Sequence, residues 1–356
     1  MGILRLLLAI SVLLAHSSSV FGVNLVGGQA AVQAFYIVSG FYMALILKEK
    51  YIGNYNSYKL FITNRLLRLF PVYWAVVILV LIVGFLSYFL TDGHKIIGLE
   101  AYSNNINNID FISIFFLVFT NIFMVFQDWV MFMGIDITNN EFFFTTNFEE
   151  TFPQLYKFLL VPQAWTIGLE ITFYLIAPFL LRLKVKYIIL LMLISAAIRV
   201  VLYYFGYSND PWSYRFFPSE LFFFLLGILA YYIYKMKPLP TVRQKYLLFY
   251  LIIFLTFIYS FFQFPGKIYL YLFIFFLVLP SVFSLSKKWK KDRSIGELSY
   301  PLYISHYFLL NIMIYFKIES NKGLILLIST LLLSILLNQL ISKRIEIYRQ
   351  SRINIK

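Results

Sequence analysis

The feature that most constrains the fold of this chain is a series of apolar stretches, each long enough to cross a lipid bilayer. A membrane-spanning helix needs about 20 predominantly apolar residues, and inside lipid only helices and closed barrels satisfy their own backbone hydrogen bonds. The apolar character here runs continuously instead of alternating, which predicts helices. Ten stretches qualify, at residues 3–21, 30–47, 72–90, 160–181, 187–205, 216–234, 246–264, 268–285, 299–316 and 323–341. We therefore predict an all-α fold, a polytopic membrane helix bundle of about ten transmembrane helices in one domain over residues 1–356.

The distribution of lysine and arginine predicts how the bundle is oriented. An eleventh apolar stretch, 111–127, would invert every later loop if it crossed the membrane. If it does not cross and the amino terminus is cytoplasmic, 22 of the 30 basic residues lie on the cytoplasmic side, as the positive-inside rule requires. We therefore predict that both termini are cytoplasmic and that 111–127 is a re-entrant or interfacial helix. Residues 91–153 then form one external insertion, which either binds carbohydrate or is a solvated cap.

Composition excludes several function classes. The chain is 61% hydrophobic and 13% charged, so it is not a soluble protein, and its net charge of +14 is explained by the cytoplasmic loops. We expect no nucleic-acid partner, and the lipid bilayer is the surrounding medium. The absence of cysteine excludes disulfides, thiolate metal sites and a cysteine nucleophile, and no metal site is predicted.

Two ionisable residues lie within the first apolar stretch. His16 comes eleven positions after Arg5, which is about 16 Å along a helix. Arg5 is then near the cytoplasmic face and His16 deep in the membrane, where ionisable groups are costly and mark substrate or proton pathways. The alternative is a signal peptide, because a basic start, an apolar run and small residues would fit one. Another apolar segment follows instead of a soluble domain, so we favour a membrane helix.

A carboxylate is predicted at a similar depth. Glu170 lies about 15 Å below the outer face on the fourth span, close to the depth of His16. A carboxylate beside an imidazole orients it and raises its basicity, as a general base requires. The alternative partner of Glu170 is Arg199, which is about 18 Å up the fifth span. Both pairings are compatible with the predicted depths.

Arg65 and Arg68 are three residues apart, so on a helix both guanidinium groups lie on one face at the cytoplasmic mouth of the third span. Paired guanidinium groups match phosphate oxygens, which predicts a phosphorylated cytoplasmic ligand. The alternative is an ordinary positive-inside anchor. Further residues that we expect to line an internal cavity are Trp165, Tyr300, His306 and Arg199.

Five segments together resemble acyltransferase family 3, integral membrane transacylases that modify cell-surface polysaccharides and related glycans. The resemblance covers nearly the whole chain and follows the order of the family. The segments are the pair Arg5 and His16, then 32–41, 64–74, 163–174 and 296–306. This chain differs from the family at Gln33, where an acidic residue is common, and at Arg5-Leu6, where arginine-glycine is common. We expect no soluble esterase-like domain after the tenth span, although some relatives in the family have one.

The resemblance implies a function and assigns roles to residues. It implies an O-acyltransferase, more narrowly an acetyl-CoA-dependent O-acetyltransferase, in a multi-pass inner (plasma) membrane of a bacterium. His16 and Glu170 would be catalytic, while Arg5, Arg65 and Arg68 would bind the acyl-CoA donor. Acetyl-CoA would be a co-substrate, with no permanently bound cofactor, and the acceptor would be a hydroxyl of a surface or exported glycan or glycolipid. Direct transfer and transfer through an acyl-histidine are both compatible with these residues.

A transporter or flippase for polysaccharides or lipid-linked sugars is the main alternative, since it would also need many spans and buried ionisable residues. It predicts an internal repeat, and the sequence contains none in its hydropathy or motifs. Release of free thiol from acetyl-CoA separates the two functions.

Overall fold

The computed structural model describes residues 1–51, 55–93, 96–105, 109–136, 139, 141–236 and 240–354. This part of the chain forms a helix bundle with one two-stranded antiparallel hairpin, β1 (Met133–Asp136) and β2 (Glu141–Phe144). Its helices are α1 (Gly2–His16), α2 (Gly27–Glu49), α3 (Tyr55–Leu90), α4 (Glu100–Asn105), α5 (Phe111–Phe123), α6 (Trp165–Leu180), α7 (Val185–Tyr204), α8 (Phe217–Lys235), α9 (Val242–Ile258), α10 (Lys267–Ser286), α11 (Lys290–Glu297), α12 (Ser299–Tyr315), α13 (Lys322–Leu337) and α14 (Lys343–Asn354).

Every predicted apolar stretch contains a helix, so the chain is an all-α membrane bundle. Among the described residues, seven helical segments are long and apolar enough to cross a membrane, namely α2, α3, α7, α8, an extended α9 (242–261), α10 and the continuous segment 322–353. Some boundaries differ from the prediction. Helix α3 begins at Tyr55 instead of residue 72, so its first turns extend beyond the apolar stretch.

The three remaining helices of the predicted ten are shorter than a typical span. Helices α1, α6 and α12 have 15, 16 and 17 residues. They carry His16, Glu170 and His306, the candidates for proton transfer. Because a 15-residue helix is about 22 Å long, its ends lie inside a hydrocarbon core of about 30 Å. The candidate proton-transfer residues thus lie on the three shortest of these ten helical segments.

The central contact of the bundle, between α2 and α8, depends on two glycines. A Cβ atom on Gly40 would lie 2.0 Å from the carbonyl oxygen of Phe224, and one on Gly227 would lie 2.0 Å from that of Ile37. Small residues let membrane helices approach until their backbones touch. This contact fixes α2 beside α8, so the side chains of α2 between Val32 and Met43 have a defined direction.

A carboxylate from a neighbouring helix caps the start of α1. Asp292 in α11 accepts hydrogen bonds from the N-terminal ammonium of Met1 at 2.7 Å, from the Gly2 amide at 2.7 Å and from the Ile3 amide at 2.9 Å. The first amides of a helix have no partner inside the helix, and a carboxylate there also favours the helix dipole. Burial raises the pKa of Asp292, but these hydrogen bonds more than offset it and hold the pKa below its usual range.

Helix α5 lies within the predicted stretch 111–127 and has 13 residues, about 20 Å, so it is too short to span the core alone. One face is exposed and apolar, including Phe111, Ile112 and Phe115. The other is held to α3, because the Tyr73 hydroxyl donates to the Asn121 carbonyl at 2.6 Å. The chain then turns at Met124, whose φ is +55°. That 111–127 does not cross the membrane stays a prediction, and the short helix fits a re-entrant or interfacial placement.

The bundle has two ends that differ in the residues they carry. The basic end carries Asn64, Arg65, Arg68, α11 and α14. The insertion end carries His16, the hairpin and the α7–α8 loop, in which Trp212 contacts Phe132 at 5.2 Å and Phe144 at 5.9 Å between ring centroids. The orientation of these two ends relative to the cytoplasm stays a prediction.

Candidate active site

Three arginines and one glutamate surround a cavity of about 100 Å³ inside the bundle. Arg5 comes from α1, Arg65 and Arg68 from α3 and Glu170 from α6, so side chains far apart in sequence converge. The remaining wall is mostly aromatic and aliphatic, with residues Val32, Phe35, Tyr36, Val38, Met43, Leu69 and Ile167. The cavity therefore joins a cationic side to an apolar pocket.

The three arginines of this cavity outnumber its one carboxylate, Glu170. Within the described part of the chain, none of the three forms a salt bridge. Arg65 is only 6% exposed, and its Nε atom has no hydrogen-bond partner. Arg5 makes one hydrogen bond, from Nη2 to the Ser299 hydroxyl at 2.9 Å. Because a buried cation without a partner is costly, the arrangement calls for an anionic ligand.

Glu170 is held in place by two hydroxyl groups. It accepts a hydrogen bond from Ser39 of α2 at 2.7 Å and another from Tyr174, one turn along α6. Sequence reasoning did not single out either partner. Tyr174 was detectable, since residues four apart on a helix are neighbours, whereas Ser39 comes from another helix and left no local signal.

A second cavity of about 430 Å³ lies at the basic end, next to the first. The two cavities share the lining residues Arg5, Tyr42, Arg65, Arg68 and Tyr300. Tyr300 is fixed there, because its hydroxyl donates to the Leu69 carbonyl at 2.7 Å. Because they share these residues, the two cavities are neighbours, with the larger one on the basic side.

The two histidines lie together toward the insertion end. The rings of His16 and His306 are stacked, with centroids 5.4 Å apart and planes at 27°. His306 is fully buried, and its Nδ1 lies 2.7 Å from the Tyr303 carbonyl oxygen. A carbonyl only accepts, so Nδ1 carries the proton and a neutral His306 has its lone pair on Nε2. In the described part of the chain that Nε2 has no partner.

His16 is the last residue of α1 and is exposed, unlike His306. Its ring contacts are His306 and, edge-on at 5.9 Å, Tyr307. Among the described residues no hydrogen bond fixes its ring. An imidazole in this position can exchange protons with a group that approaches from the insertion end.

The expected contact between Glu170 and His16 is not found, which corrects that prediction. Tyr303 lies between them, because its ring lines the small cavity and is 5.9 Å from the ring of His306. The Tyr303 hydroxyl also shares a hydrogen bond of 2.8 Å with Thr166 of α6. Sequence reasoning missed Tyr303, because depth along a helix carries no information on lateral position.

The alternative pairing of Glu170 with Arg199 is wrong as well. Arg199 instead forms a salt bridge of 2.5 Å with Glu220 in the first turn of α8. Gln33 completes this network, since its Nε2 donates to the Glu220 carboxylate at 3.1 and 3.3 Å. Arg199 is therefore not among the residues that line either cavity. Gln33, which departs from the family pattern, has a defined role as a neutral donor to a carboxylate that is already paired.

Trp165 also lies outside the linings of the two cavities. It packs toward the insertion end, where the Arg215 guanidinium is 4.2 Å from its ring centroid and Tyr214 is 4.9 Å away. Arg215 is itself paired with Asp210 at 2.7 Å. Trp165 thus belongs to an aromatic layer on the insertion side. No cluster of three or more metal-ligating side chains occurs within the described ranges.

One family model matches the chain, and neither the curated proteins nor the solved structures contain a match. The model is that of the acyltransferase 3 family and is described as an acyltransferase domain. It covers residues 1–342, which include the arginines, Glu170 and both histidines but not α14. With its bundle of apolar helices, the chain belongs to acyltransferase family 3 and is a membrane acyltransferase.

Proposed function

We propose that the protein transfers an acetyl group from cytoplasmic acetyl-CoA to a hydroxyl of a surface or exported glycan or glycolipid. The observation that carries this proposal is the unpaired arginine cluster at the junction of the two cavities. A ligand that fits must be anionic at one end and slender and less polar at the other. Coenzyme A thioesters combine phosphates with a long uncharged arm, and guanidinium groups bind phosphates through paired hydrogen bonds.

The donor is proposed to enter from the basic end, which would be cytoplasmic. Its diphosphate would be held by Arg65 and Arg68, and its arm would extend past Tyr300 into the small cavity. A cavity of about 100 Å³ with apolar walls suits a short acyl group better than a fatty acyl chain. Glu170, fixed by Ser39 and Tyr174, would orient the polar part of the thioester arm and Arg5 would balance its charge.

The acceptor is proposed to approach His16 from the insertion end. His16 would take the proton of the acceptor hydroxyl while the hydroxyl oxygen attacks the thioester carbon. The carbon–sulfur bond then breaks, and the leaving thiolate takes the proton from the imidazolium. The products are an ester and free coenzyme A. In this scheme Tyr303 must move aside, because it separates the small cavity from the histidines.

The experiment that tests the proposal follows both products. Purified protein in nanodiscs is mixed with acetyl-CoA and with glycan isolated from the producing cells. We expect free thiol and acetylated glycan in equal amounts, detected by a thiol reagent and by mass spectrometry. A transporter for glycans would leave acetyl-CoA intact, and that result would contradict the proposal.

The variant His16→Ala tests whether His16 is the general base of the transfer. Loss of a general base lowers the rate by about 10²–10⁴-fold, and the affinity for CoA is expected to stay as in the wild type. Ser19→Ala is the matched control, since this exposed residue follows α1 in the loop and lines neither cavity. A well-folded His16→Ala protein with normal turnover would remove His16 from the mechanism.

A further inference from the structure

The last helix, α14, forms one wall of the larger cavity, although it lies beyond the residues that the family model matches. Ile345, Glu346, Arg349 and Ile353 all face the cavity. Their spacing of three and four residues places them on one helical face. One face of α14 thus lines the proposed donor site and carries one cation, Arg349, and one anion, Glu346.

Arg349 in this wall is buried, with 6% exposure, and only some of its guanidinium donors have hydrogen-bond partners in the protein. Its Nε donates to the Asn64 carbonyl at 2.7 Å, and its Nη1 donates to Glu346 at 2.5 Å. Its Nη2 has no protein partner within the described part of the chain. The guanidinium is therefore held rigidly by one edge and has donors left for a ligand in the cavity.

Arg349 is anchored on α3 beside Arg65 and on the basic-end side of Arg68. Its anchor, Asn64, comes four residues before Arg68, which is about 6 Å along the helix toward the basic end. A ligand that enters from that end meets Arg349 first and Arg68 later. In coenzyme A the 3′-phosphate lies on the ribose, farther from the thioester than the diphosphate. The step from Arg349 to Arg68 thus follows the order of the phosphates from the ribose toward the thioester.

The charge around this cavity also favours a polyanion. Seven lysine and arginine side chains line it against three carboxylates. One of these carboxylates, Asp292, is occupied by the first turn of α1. A second, Glu346, bonds Arg349 and also accepts from Gln350 at 2.5 Å. Glu346 thus binds Arg349 through a carboxylate oxygen, at a position where a phosphate oxygen can bind the same guanidinium.

From this geometry we propose that Arg349 binds the 3′-phosphate of the acyl-CoA donor and that Glu346 competes with that phosphate for the guanidinium. This inference rests on the proposed function, since it assigns a further part of the same donor. It makes α14 a specificity element that distinguishes coenzyme A from donors without the 3′-phosphate. A phosphate monoester carries about −1.5 to −2 charge at pH 7 and accepts bidentate bonds from arginine.

The test compares two probes, CoA and 3′-dephospho-CoA, in equilibrium binding to the full-length protein in nanodiscs. We expect the wild type to bind CoA about tenfold more tightly, which is about 1.4 kcal/mol. In Arg349→Gln this preference should fall to about one, with unchanged affinity for 3′-dephospho-CoA. Arg352→Gln is the matched control. Arg352 is on the same helix and bonds Asn64 and Thr63, but it does not line the cavity, so the preference should remain.

Glu346→Gln supplies a second variant with an effect of opposite sign. Removing the competing charge should tighten CoA binding by a few fold and leave 3′-dephospho-CoA unaffected, whereas a merely structural role would weaken both. Equal losses for both probes in Arg349→Gln, or an unchanged preference, would overturn the assignment. If Arg349→Gln does not fold, the test depends on Glu346→Gln. The assignment is then overturned if Glu346→Gln does not bind CoA more tightly than the wild type. A wild type that binds neither probe would instead refute the acyl-CoA donor itself.

Discussion

The bundle contains buried arginines in two settings, one with a carboxylate counter-ion within salt-bridge distance and one without. Toward the insertion end, Arg199 is 14% exposed and is paired with the fully buried Glu220. It also donates to the backbone carbonyls of Ser213 and Ser219, while Gln33 donates to Glu220. Near the basic end, Arg65 is more deeply buried and forms no salt bridge within the described residues. Both arginines have an Nε atom without a hydrogen-bond partner, but Arg199 has a carboxylate as its counter-ion and, among the described residues, Arg65 has none within salt-bridge distance.

This difference separates structure from function. A buried ion pair whose hydrogen bonds are complete holds helices in register, and breaking it is expensive. A buried cation without a counter-ion weakens the fold unless a ligand neutralises it, so its presence points to binding. Ionisable residues inside a membrane protein therefore become informative once their partners are known. Substitutions in each setting test this contrast, and the largest effect is expected where the ion pair is broken.

Removing the partner of Arg199 should cause the largest loss of stability. Glu220→Ala leaves the Arg199 guanidinium buried beside backbone carbonyls alone, which we expect to lower the free energy of unfolding by about 3–5 kcal/mol. The measurement is denaturant-induced or thermal unfolding in detergent, followed by tryptophan fluorescence.

The control is the double variant Arg199→Met/Glu220→Met, which replaces both charges with apolar groups of similar size. It should recover most of the lost stability. If Glu220→Ala unfolds like the wild type, the network is not structural and the contrast with the arginine cluster fails.

Asp128 extends the comparison to an unpaired buried carboxylate. It is 5% exposed, packs against Gly168 near the insertion end and forms no ion pair within the described residues. Burial raises the pKa of Asp128 from 3.8 to about 7. Since the folded state holds the proton more tightly than the unfolded state, stability should fall as the pH rises from about 4 through 7.

Asp128→Asn should remove that pH dependence and stabilise the protein at pH 8 by on the order of 2–4 kcal/mol. Melting curves between pH 4 and pH 8 measure it. The control, Glu149→Gln, changes an exposed carboxylate of the same insertion and should melt like the wild type. A wild type whose stability rises across this range would show that Asp128 is paired or solvated.

Substitutions in the arginine cluster should change the affinity for the CoA donor and not the free energy of unfolding. Arg65→Lys and Arg68→Lys keep the positive charge but lose the planar fork, so donor affinity should weaken by about 1–3 kcal/mol. Binding of CoA in nanodiscs measures it, with melting temperature recorded in parallel. Arg182→Lys, an exposed arginine outside both cavities, is the control. Unchanged affinity in both lysine variants would mean that the pair only anchors the helix.

The smallest expected effect concerns the histidine pair. His306→Phe keeps a stacked ring but loses the hydrogen bond from Nδ1 to the Tyr303 carbonyl, which should cost about 0.5–1.5 kcal/mol of stability. Because Tyr303 and His16 both contact this ring, we expect slower turnover with unchanged CoA affinity. Steady-state rates and binding separate the two. A weaker CoA affinity with normal turnover would place His306 on the donor side instead.

The sequence was sufficient for the features that depend on local composition. Apolar length and continuity determined where helices form, since each helix must satisfy its backbone inside lipid. The five segments and their order determined the family, and the spacing of Arg65 and Arg68 placed both on one cavity. The boundary of α3 was less accurate, because its first turns are amphiphilic and carry no long apolar run.

The tertiary structure alone decided which charges meet. Depth along a helix follows from counting residues, so His16, Glu170 and Arg199 could be placed at similar depths from sequence. Lateral position depends on how helices pack, and here that is set by contacts such as Gly40 against α8. Helix packing pairs Arg199 with Glu220 and brings Arg349 of the last helix beside Asn64. It also places Tyr303 in contact with both the cavity of Glu170 and the ring of His306. Such pairings join residues far apart in the chain, and no local pattern encodes them.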